Sequence, residues 1–415
     1  MYGCDGLPIP QKFITFSLMK LTSLPLLAIA ALLAVGCSRQ EAANTKWFKG
    51  NLHTHSYWSD GDEFPEMIMD WYKTKGYDFV ALTDHNTLAE GEKWVVVRKG
   101  RIYEEAFEKY LGKFGEEWVT YKRDTGRIQV KLKTFDEYRP MFEDDHFLII
   151  QSEEISDRVD GKPIHINATN VQSLIPPQGG STVTEVMQRN VDAVLKQREE
   201  MGVPMFPHIN HPNFHFAIKA EDFFDLEGER FFEVYNGHPQ VYNYGDSTRP
   251  GTEYMWDVIN LEYARRNKPF LFGLATDDSH NYHIYGTKYS NAGRGWVMVR
   301  AESLDPASLI EAMEAGDFYA STGVELDDVD VRENTLHIDV KEEEGVTYEI
   351  QFIGATGQDQ QTTVLKTVSG SEATFPLDDS YVFVRAKIIS SKPQENPFQE
   401  GDFESAWTQP VKGDQ

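Results

Sequence analysis

Cysteine is almost absent from this 415-residue chain, which contains only Cys4 and Cys37. A disulfide framework in the folded part is therefore excluded, because at most one of the two remains after the N-terminal targeting segment. Basic residues are also scarce: Lys and Arg number 40 against 66 Asp and Glu, and the formal net charge is −26. Since a grip on a nucleic-acid backbone needs clustered Lys and Arg, we expect no such partner.

An apolar run over residues 21–35 follows Met19 and Lys20 near the N-terminus. A short charged start, an apolar core and small residues before a cut are typical of a secretory signal. The ending Ala34-Val35-Gly36-Cys37 resembles a bacterial lipobox, although Ala34 stands where Leu is commoner. We expect residues 1–37 to be an upstream extension plus a lipoprotein-type signal peptide, with Cys37 lipidated. The protein would then be exported and anchored by its lipid, facing the periplasm or the cell exterior. The alternatives are an ordinary cleaved signal and a transmembrane anchor.

Strands and helices alternate along residues 47–322, after a polar tether at 38–46. Apolar, β-rich runs such as Tyr77–Leu82 are separated by helical stretches such as Thr182–Met201. Residues 90–145 are charged and aromatic without a clean period, which predicts an insertion with one or two helices. Strand–helix alternation over this length is typical of an α/β barrel.

The pattern changes in residues 323–415. Five short β-rich runs lie between Gly, Asp and Ser turns, which predicts a small antiparallel β-sandwich. No cluster of chemically reactive side chains occurs in this segment. We therefore expect an accessory or packing role for it rather than a separate binding module.

His53 and His55 stand two residues apart, so on a strand both imidazoles point to the same face. Asp60 follows in a Ser-Asp-Gly turn, and two imidazoles with a carboxylate suit a first-row divalent metal ion. The pair alone decides nothing, because ordinary strand histidines reach this spacing by chance. Further histidines and carboxylates recur at or near the ends of later strands: His85, Glu154, His165, His211, Asp278 and His280. Nine such groups predict a metal centre at the C-terminal mouth of a barrel.

Five motifs in order resemble the PHP family, the "polymerase and histidinol phosphatase" metal-dependent phosphoesterases. They are Leu52-His53-Thr54-His55 with Ser59-Asp60-Gly61, Thr83-Asp84-His85, Glu154-Ile155-Ser156, Asn210-His211-Pro212 and Asp278-Ser279-His280. The resemblance covers residues 47–322. It implies a distorted, TIM-like (β/α)7 barrel that holds two or three divalent ions at its C-terminal mouth.

The resemblance also implies a division of the ligands among three ions: His53, His55, Glu154 and Asp278 for one; Glu154, His165 and His211 for a second; Asp60, His85 and His280 for a third. Glu153 competes with Glu154, and His208 with His211; spacing cannot choose, and the motif matches favour Glu154 and His211. Asp84 is expected to orient a neighbour or cap a turn. Zn, Mn and Fe all suit this ligand set.

The chemistry expected of such a centre is hydrolysis by a metal-bound hydroxide, with paired cations neutralising charge on phosphoryl oxygens. Our hypothesis is therefore cleavage of a phosphomonoester or phosphodiester in a small phosphorylated substrate. Beyond the hydroxide, the sequence identifies no catalytic group. Four residues near strand ends are candidates for contact with the substrate, each with an ordinary structural role as its alternative: Arg294, His283, Glu233 and Asn236.

Two other functions stay open at this point. Amidohydrolases also carry a His-x-His on the first strand of a barrel, so the same metal chemistry could cleave a C–N bond. A surface lipoprotein that binds metal or a ligand without turnover is the second alternative. Export disfavours cytoplasmic substrates such as histidinol phosphate, and it favours nucleotides, sugar phosphates or phospholipid headgroups found outside the cytoplasm.

Overall fold

Strands whose ends carry the predicted metal ligands lie side by side in one long sheet. The computed structural model describes residues 45–413 apart from 125 and 358; the predicted signal peptide and Cys37 lie outside the described residues. The strands are β1 (Lys46–Asn51), β2 (Phe79–Leu82), β3 (Trp94–Val96), β4 (Tyr121–Asp124), β5 (Arg127–Lys131), β6 (Leu148–Val159), β7 (Lys162–Thr169), β8 (Phe206–Ile209), β9 (Phe231–Asn236), β10 (Phe272–Thr276), β11 (Trp296–Ala301), β12 (Phe318–Ser321), β13 (Leu326–Arg332), β14 (Thr335–Val340), β15 (Tyr348–Thr356), β16 (Thr363–Ser369), β17 (Glu372–Pro376), β18 (Tyr381–Pro393) and β19 (Phe403–Thr408).

Seven α-helices connect these strands within the described residues, and a 3-10 turn lies at Phe214–Phe216. Several helix ends follow local capping rules. The hydroxyl of Thr182 accepts the Glu185 N–H at the start of one helix, and Gly202 ends it in a left-handed conformation. The helices are α1 (Pro65–Thr74), α2 (Arg101–Phe114), α3 (Phe135–Phe142), α4 (Val183–Met201), α5 (Ala220–Phe223), α6 (Thr252–Arg265) and α7 (Pro306–Ala315).

The long sheet has thirteen strands in the order β10-β9-β8-β7-β6-β2-β1-β11-β12-β19-β18-β15-β16. Neighbours β1–β2, β2–β6, β8–β9 and β9–β10 pair in parallel, whereas β7 is antiparallel to both β6 and β8. The fold is therefore a mixed α/β arrangement. Past the end of β10, the chain returns to the end of β1: Asp278 N donates to His53 O at 3.0 Å, and His55 N donates to Ser279 O at 2.9 Å.

The antiparallel step between β6 and β7 comes from a two-residue turn, Asp160-Gly161. Both residues have positive φ, 50° and 76°, as the tight hairpin turns that match strand twist require. Gly accepts this conformation without strain, and Asp tolerates it better than most residues. The turn sets Ser156 opposite His165 in the register of the hairpin.

One hydrophobic cluster takes side chains from strands β1, β2, β6 and β8 to β11. Members such as Phe79, Phe206, Phe231 and Phe272 are the first residues of their strands and are buried. The cluster therefore fills the space at the N-terminal ends of these strands. The polar groups occupy the opposite, C-terminal ends.

The insertion at residues 90–145 contains α2 and α3, as predicted, and also a small sheet in the order β3-β5-β4 that was not predicted. Toward the C-terminus, β15, β16, β18 and β19 extend the long sheet, and β13, β14 and β17 form another. Side chains of both sheets, including Ile338 and Phe352, share one hydrophobic cluster. The predicted sandwich and its boundary at residue 323 stay predictions. None of the described helices is long and apolar enough to span a bilayer.

Candidate metal centre

Two imidazoles and two carboxylates converge beyond the end of β1. The Nε2 atoms of His53 and His55 lie 3.3 and 3.2 Å from the same atom, Asp278 Oδ1. They also lie 3.4 Å each from the two carboxylate oxygens of Glu154. All four side chains are buried. Two imidazoles and two carboxylates that approach one another in this way match the donor types of a first-row divalent ion.

The unpaired atoms of this group fit a bound metal. His53 Nε2, His55 Nε2 and Glu154 Oε2 are buried and have no hydrogen-bond partner among the described residues. Glu154 Oε2 lies 2.7 Å from His85 Nδ1, but without hydrogen-bond geometry. Buried polar atoms without partners are costly, about 1–3 kcal/mol each. A shared cation would satisfy all three at once.

Other hydrogen bonds fix which nitrogen each ring presents. His53 Nδ1 lies 2.7 Å from Glu233 Oε1, and His280 Nδ1 lies 2.9 Å from the Asp278 carbonyl oxygen. In each ring the Nδ1 proton is therefore directed away from the centre, and Nε2 is left to face the carboxylates. Partners of this kind orient metal-binding histidines and fix their tautomer.

A second group surrounds Glu154 Oε1. His165 Nδ1 lies 3.0 Å and His211 Nε2 lies 3.4 Å from this oxygen. Asn210 Nδ2 donates to the same oxygen at 2.7 Å, which holds the carboxylate in place. Glu154 and His165 come from the two strands of the β6–β7 hairpin, and His211 lies two residues past β8.

The third group is centred on Asp60 Oδ1, at the solvent side of the site. His280 Nε2, His85 Nε2 and His55 Nδ1 lie 3.3, 3.6 and 3.9 Å from this oxygen. The Asp60 side chain is 57% exposed, in contrast to the buried His55. His55 therefore faces two groups, one with each ring nitrogen.

All nine predicted ligands lie in these neighbouring groups. Sets whose ligand atoms approach one another closely enough for one ion are His55, Asp60, His85 and His280; His53, Glu154 and His211; His53, His55 and Asp278; His85, Glu154 and His165; and His53, His208 and Glu233, of which only His53 is a predicted ligand. Several residues occur in two sets, so the division among individual ions stays a prediction.

The charges of the site are mutually stabilised. Burial alone would raise the pKa of Glu154, but His85, His165 and His53 outweigh it and hold that pKa well below its usual range. Burial, reinforced by repulsion from His280 and His85, lowers the pKa of His55 to about 3. Against the effect of burial, the neighbouring carboxylates raise the pKa values of His53 and His85. A metal binds ionised carboxylates and neutral imidazoles, so its binding would displace a proton from each of these two rings.

Glu233 and Asn236 lie behind the ligands, which corrects their predicted contact with substrate. Both are fully buried. Glu233 Oε1 accepts a hydrogen bond from the Thr276 hydroxyl at 2.8 Å, and its Oε2 accepts from the His211 backbone N–H at 2.7 Å. Asn236 Nδ2 donates to Glu233 Oε2 and to Asp278 Oδ2 at 2.9 and 3.2 Å. Both residues therefore hold candidate ligands in place.

Arg294 is also placed differently from the prediction. Its side chain is 1% exposed. The guanidinium donates to the carbonyl oxygens of Gly237, Gly286 and Tyr289 at 2.6–2.9 Å, and to Asn396 at 3.3 Å. All five N–H groups of the guanidinium are used in these hydrogen bonds, which connect loops of the protein. None is left to bind a phosphate. His283 Nε2 lies 2.9 Å from the Asp62 carbonyl oxygen, outside the three ligand groups.

The two alternatives left open by spacing separate in space. Glu153 points away from the ligands, and its Oε1 accepts the Ile175 N–H at 2.6 Å. His208 is buried and lies 3.4 Å from Glu233 Oε1, on the far side of His53 from the carboxylate pair. Asp84 accepts hydrogen bonds from the N–H and hydroxyl of Ser56 and from the Ser59 hydroxyl at 2.5–2.8 Å, so it orients the loop that carries Asp60.

Sequence reasoning missed His238, which lies at the mouth of the site. Its ring centroid is 5.6 Å from that of His280 and 5.5 Å from that of Phe214. Its Nδ1 accepts the Gln240 N–H at 3.3 Å. The available signal was its position two residues past the end of β9, the same offset that places His211 after β8.

Solved structures similar to this chain include a two-domain protein from Bacteroides vulgatus, described as containing a predicted PHP-like metal-dependent phosphoesterase. It is 14% identical with a TM-score of 0.42, covering 88% of this chain and 96% of that chain. A protein from Bifidobacterium adolescentis, assigned by inference as a metal-dependent phosphoesterase, is 12% identical with a TM-score of 0.28, covering 59% and 90%.

A third similar structure is an amidohydrolase from Chromobacterium violaceum with bound sulfate and no metal. It is 12% identical with a TM-score of 0.28, covering 58% of this chain and 90% of that chain. No protein-family model and no curated protein matches the chain. The first of these descriptions names a PHP-like phosphoesterase, and the second names a metal-dependent phosphoesterase without a family.

Proposed function

We propose that this protein is a metal-dependent phosphoesterase that hydrolyses phosphomonoesters or phosphodiesters. The observation that carries the proposal is the convergence of nine histidine and carboxylate ligands, three of whose buried atoms lack hydrogen-bond partners. The five motifs, in their order along the chain, support hydrolysis of a phosphoester over cleavage of other bonds. No Ser-His-Asp or Cys-His arrangement is needed for this chemistry.

Divalent ions bound by these residues would supply an activated water and neutralise charge on a phosphoryl group. The residues of the chain provide the frame. Glu233 holds His53 with Nε2 toward the carboxylates, and Asn210 holds Glu154. Asp84 holds the loop around Asp60, the exposed ligand, so a substrate would enter from the Asp60 side.

The finer architecture belongs to the same proposal. We infer that β1, β2 and β6 to β10 form a distorted seven-stranded barrel. The hydrogen bonds between the ends of β1 and β10 support this closure, as does the hydrophobic cluster that their side chains share. The strands after residue 323 would form the accessory sandwich. The substrate would be a small phosphorylated molecule outside the cytoplasm, and the anchor would be a lipid on Cys37.

The test is a double substitution, His53→Ala with His55→Ala, in the purified protein. We expect metal content and phosphate release from a panel of mono- and diesters to be lost together. His146→Ala, an exposed histidine outside the site, is the matched control and should retain both. Full activity in the double variant would refute the proposal. Amide cleavage without phosphate release by the wild type would instead favour a C–N hydrolase.

A further inference from the structure

The exposed ligand Asp60 lies in a loop that packs against the insertion. We call residues 57–62 the Asp60 loop. Trp58 of this loop is buried in a hydrophobic cluster with side chains of the insertion such as Phe107. The indole Nε1 of Trp58 donates to the carbonyl oxygen of Lys133, also in the insertion, at 3.1 Å. The insertion is therefore the wall against which the Asp60 loop rests.

Two basic side chains of the insertion donate to main-chain carbonyl oxygens of this loop. Arg98 Nη2 donates to the carbonyl oxygen of Asp60 and, at 3.3 Å, to that of Gly61. Lys93 Nζ donates to the carbonyl oxygen of Trp58. Hydrogen bonds from a charged donor are stronger than those from a neutral one. One arginine thus holds the backbone of the exposed ligand itself.

Arg98 is itself held at both ends. It lies two residues past β3, where the N–H of Val97 donates to the carbonyl oxygen of Ile128 on β5 at 2.9 Å. At the other end, Arg98 Nη1 lies 3.8 Å from Asp62 Oδ2. The Asp62 carboxylate is buried and accepts the Tyr282 N–H at 2.8 Å. The guanidinium therefore connects the small sheet of the insertion to a fixed carboxylate beside the metal centre.

The Asp60 carboxylate has few other ties among the described residues. Its side chain is 57% exposed. Besides the three imidazoles, the Ser59 hydroxyl lies 3.3 Å from Asp60 Oδ1, but this hydroxyl lies closer to Asp84, at 2.5 Å. Groups that hold a ligand in place account for about 10- to 100-fold in metal affinity. For Asp60, the contact with Arg98 at the backbone supplies such a hold.

We propose that Arg98 is a positioning residue of the metal centre. Through the carbonyl oxygens of Asp60 and Gly61, it sets the affinity of the exposed group for its ion. This inference rests on the proposed metal-dependent function. It makes the insertion part of the centre, although none of the nine predicted ligands lies in it.

The sign of the effect separates positioning from simple electrostatics. A guanidinium near a metal site repels the ion, so its removal alone would strengthen metal binding. Loss of positioning has the opposite effect, because the Asp60 carboxylate would no longer be held where the imidazoles meet. A decrease in affinity on removal of Arg98 therefore reports positioning.

The test is titration of the metal-free protein with Zn²⁺ in competition with a chromophoric chelator. Asp60→Ala identifies the exposed ion as the one that this variant loses. We expect Arg98→Ala to weaken binding of that ion about tenfold and to leave the others at wild-type affinity. Arg98→Lys retains the charge but not the planar fork that reaches two acceptors, so its affinity should lie between those of the wild type and Arg98→Ala.

Arg101→Ala is the matched control, because Arg101 belongs to the same insertion, is 91% exposed and pairs with Glu105. It should bind Zn²⁺ as the wild type does. In an Asp60→Ala background, Arg98→Ala should have no further effect on Zn²⁺ affinity, since Arg98 acts through Asp60.

Four results would overturn the proposal: unchanged or tighter binding in Arg98→Ala, equal weakening of every ion in that variant, loss of every ion in Asp60→Ala, or a further decrease when the two substitutions are combined. Zn²⁺ binding by the wild type without phosphate release would contradict the proposed function, and the variants would still test Arg98. A wild type that binds no Zn²⁺ would overturn both.

Discussion

The two faces of strand β6 carry neighbouring carboxylates in opposite states. Glu154 lies among histidines, which hold its pKa well below the usual range despite burial. Glu153 lies on the other face, where burial raises its pKa to about 8. Its Oε2 has no partner among the described residues, which fits a protonated group. The same side chain, one residue apart, is thus an ionised candidate ligand on one face and a neutral packing group on the other.

The largest effect should come from Glu154→Gln. The variant removes the carboxylate that contacts His53, His55, His85 and His165. We expect loss of bound metal and a decrease in kcat/KM of about 1000-fold or more. Metal analysis together with phosphate release measures this. If the variant retained the metal content of the wild type, Glu154 would not be a ligand, and the proposed difference between the two faces of β6 would be wrong.

Asp60→Ala should have a smaller effect, limited to the exposed side of the centre. Asp60 contacts His85 and His280, whereas the pair formed by His53 and Asp278 does not involve it. We expect the metal stoichiometry to decrease by about one ion, while the ion nearest His53 is retained. Elemental analysis of the purified variant checks the stoichiometry. Loss of all metal would show instead that the groups bind as one unit.

Glu233→Gln tests a carboxylate that acts through a ligand. The amide retains a hydrogen-bonding group of similar shape beside His53 Nδ1, but it loses the charge. We expect metal affinity to decrease about 10- to 100-fold, measured by competition with a chelator. Glu311→Gln, an exposed change on α7, is the control and should bind as the wild type does. If the Glu233 variant bound metal as tightly as the control, Glu233 would not contribute to metal binding.

Glu153→Gln should have the smallest effect on activity, within about twofold, and a measurable effect on stability. The pKa of Glu153 is higher in the folded state, so the folded protein binds more protons than the unfolded chain. The free energy of unfolding should therefore fall as pH rises from about 4.5 to about 8, by at most about 1.4 kcal/mol per pH unit. Urea unfolding of wild type and variant across this range measures the difference. Parallel pH profiles would contradict the assignment.

Alternation along β6 explains why the sequence could name the candidate ligands but not their geometry. A strand that begins near Leu148 places Glu153 and Glu154 on opposite faces, but spacing alone does not say which face is the inner one. The motif match chose Glu154, and the contacts with His165 and His211 agree with it. Strand ends such as those before His85 and His280 could likewise be predicted, because apolar runs of this length mark buried strands.

Contacts between residues far apart in the sequence explain why the position of Arg294 could not be predicted. Arg294 follows a glycine in a loop, and nothing local indicates that Gly237 and Asn396 lie close enough to take its donors. The antiparallel hairpin is signalled by the two-residue turn Asp160-Gly161, which strand–helix alternation alone does not predict. The small sheet β3-β5-β4 has strands of three to five residues, too short to show a period.

The two-residue turn at Asp160-Gly161 also sets how this site can vary. Its sequence can change freely among residues that accept positive φ, because no ligand lies in it. The paired residues between Glu154 and the turn cannot change in number by one without a compensating bulge, since a single inserted residue would place Glu154 and His165 on opposite faces of the hairpin. Length variation in this hairpin is therefore restricted to steps of two residues. In related chains, an odd difference in the number of residues between Glu154 and His165 therefore predicts that these two side chains no longer face each other.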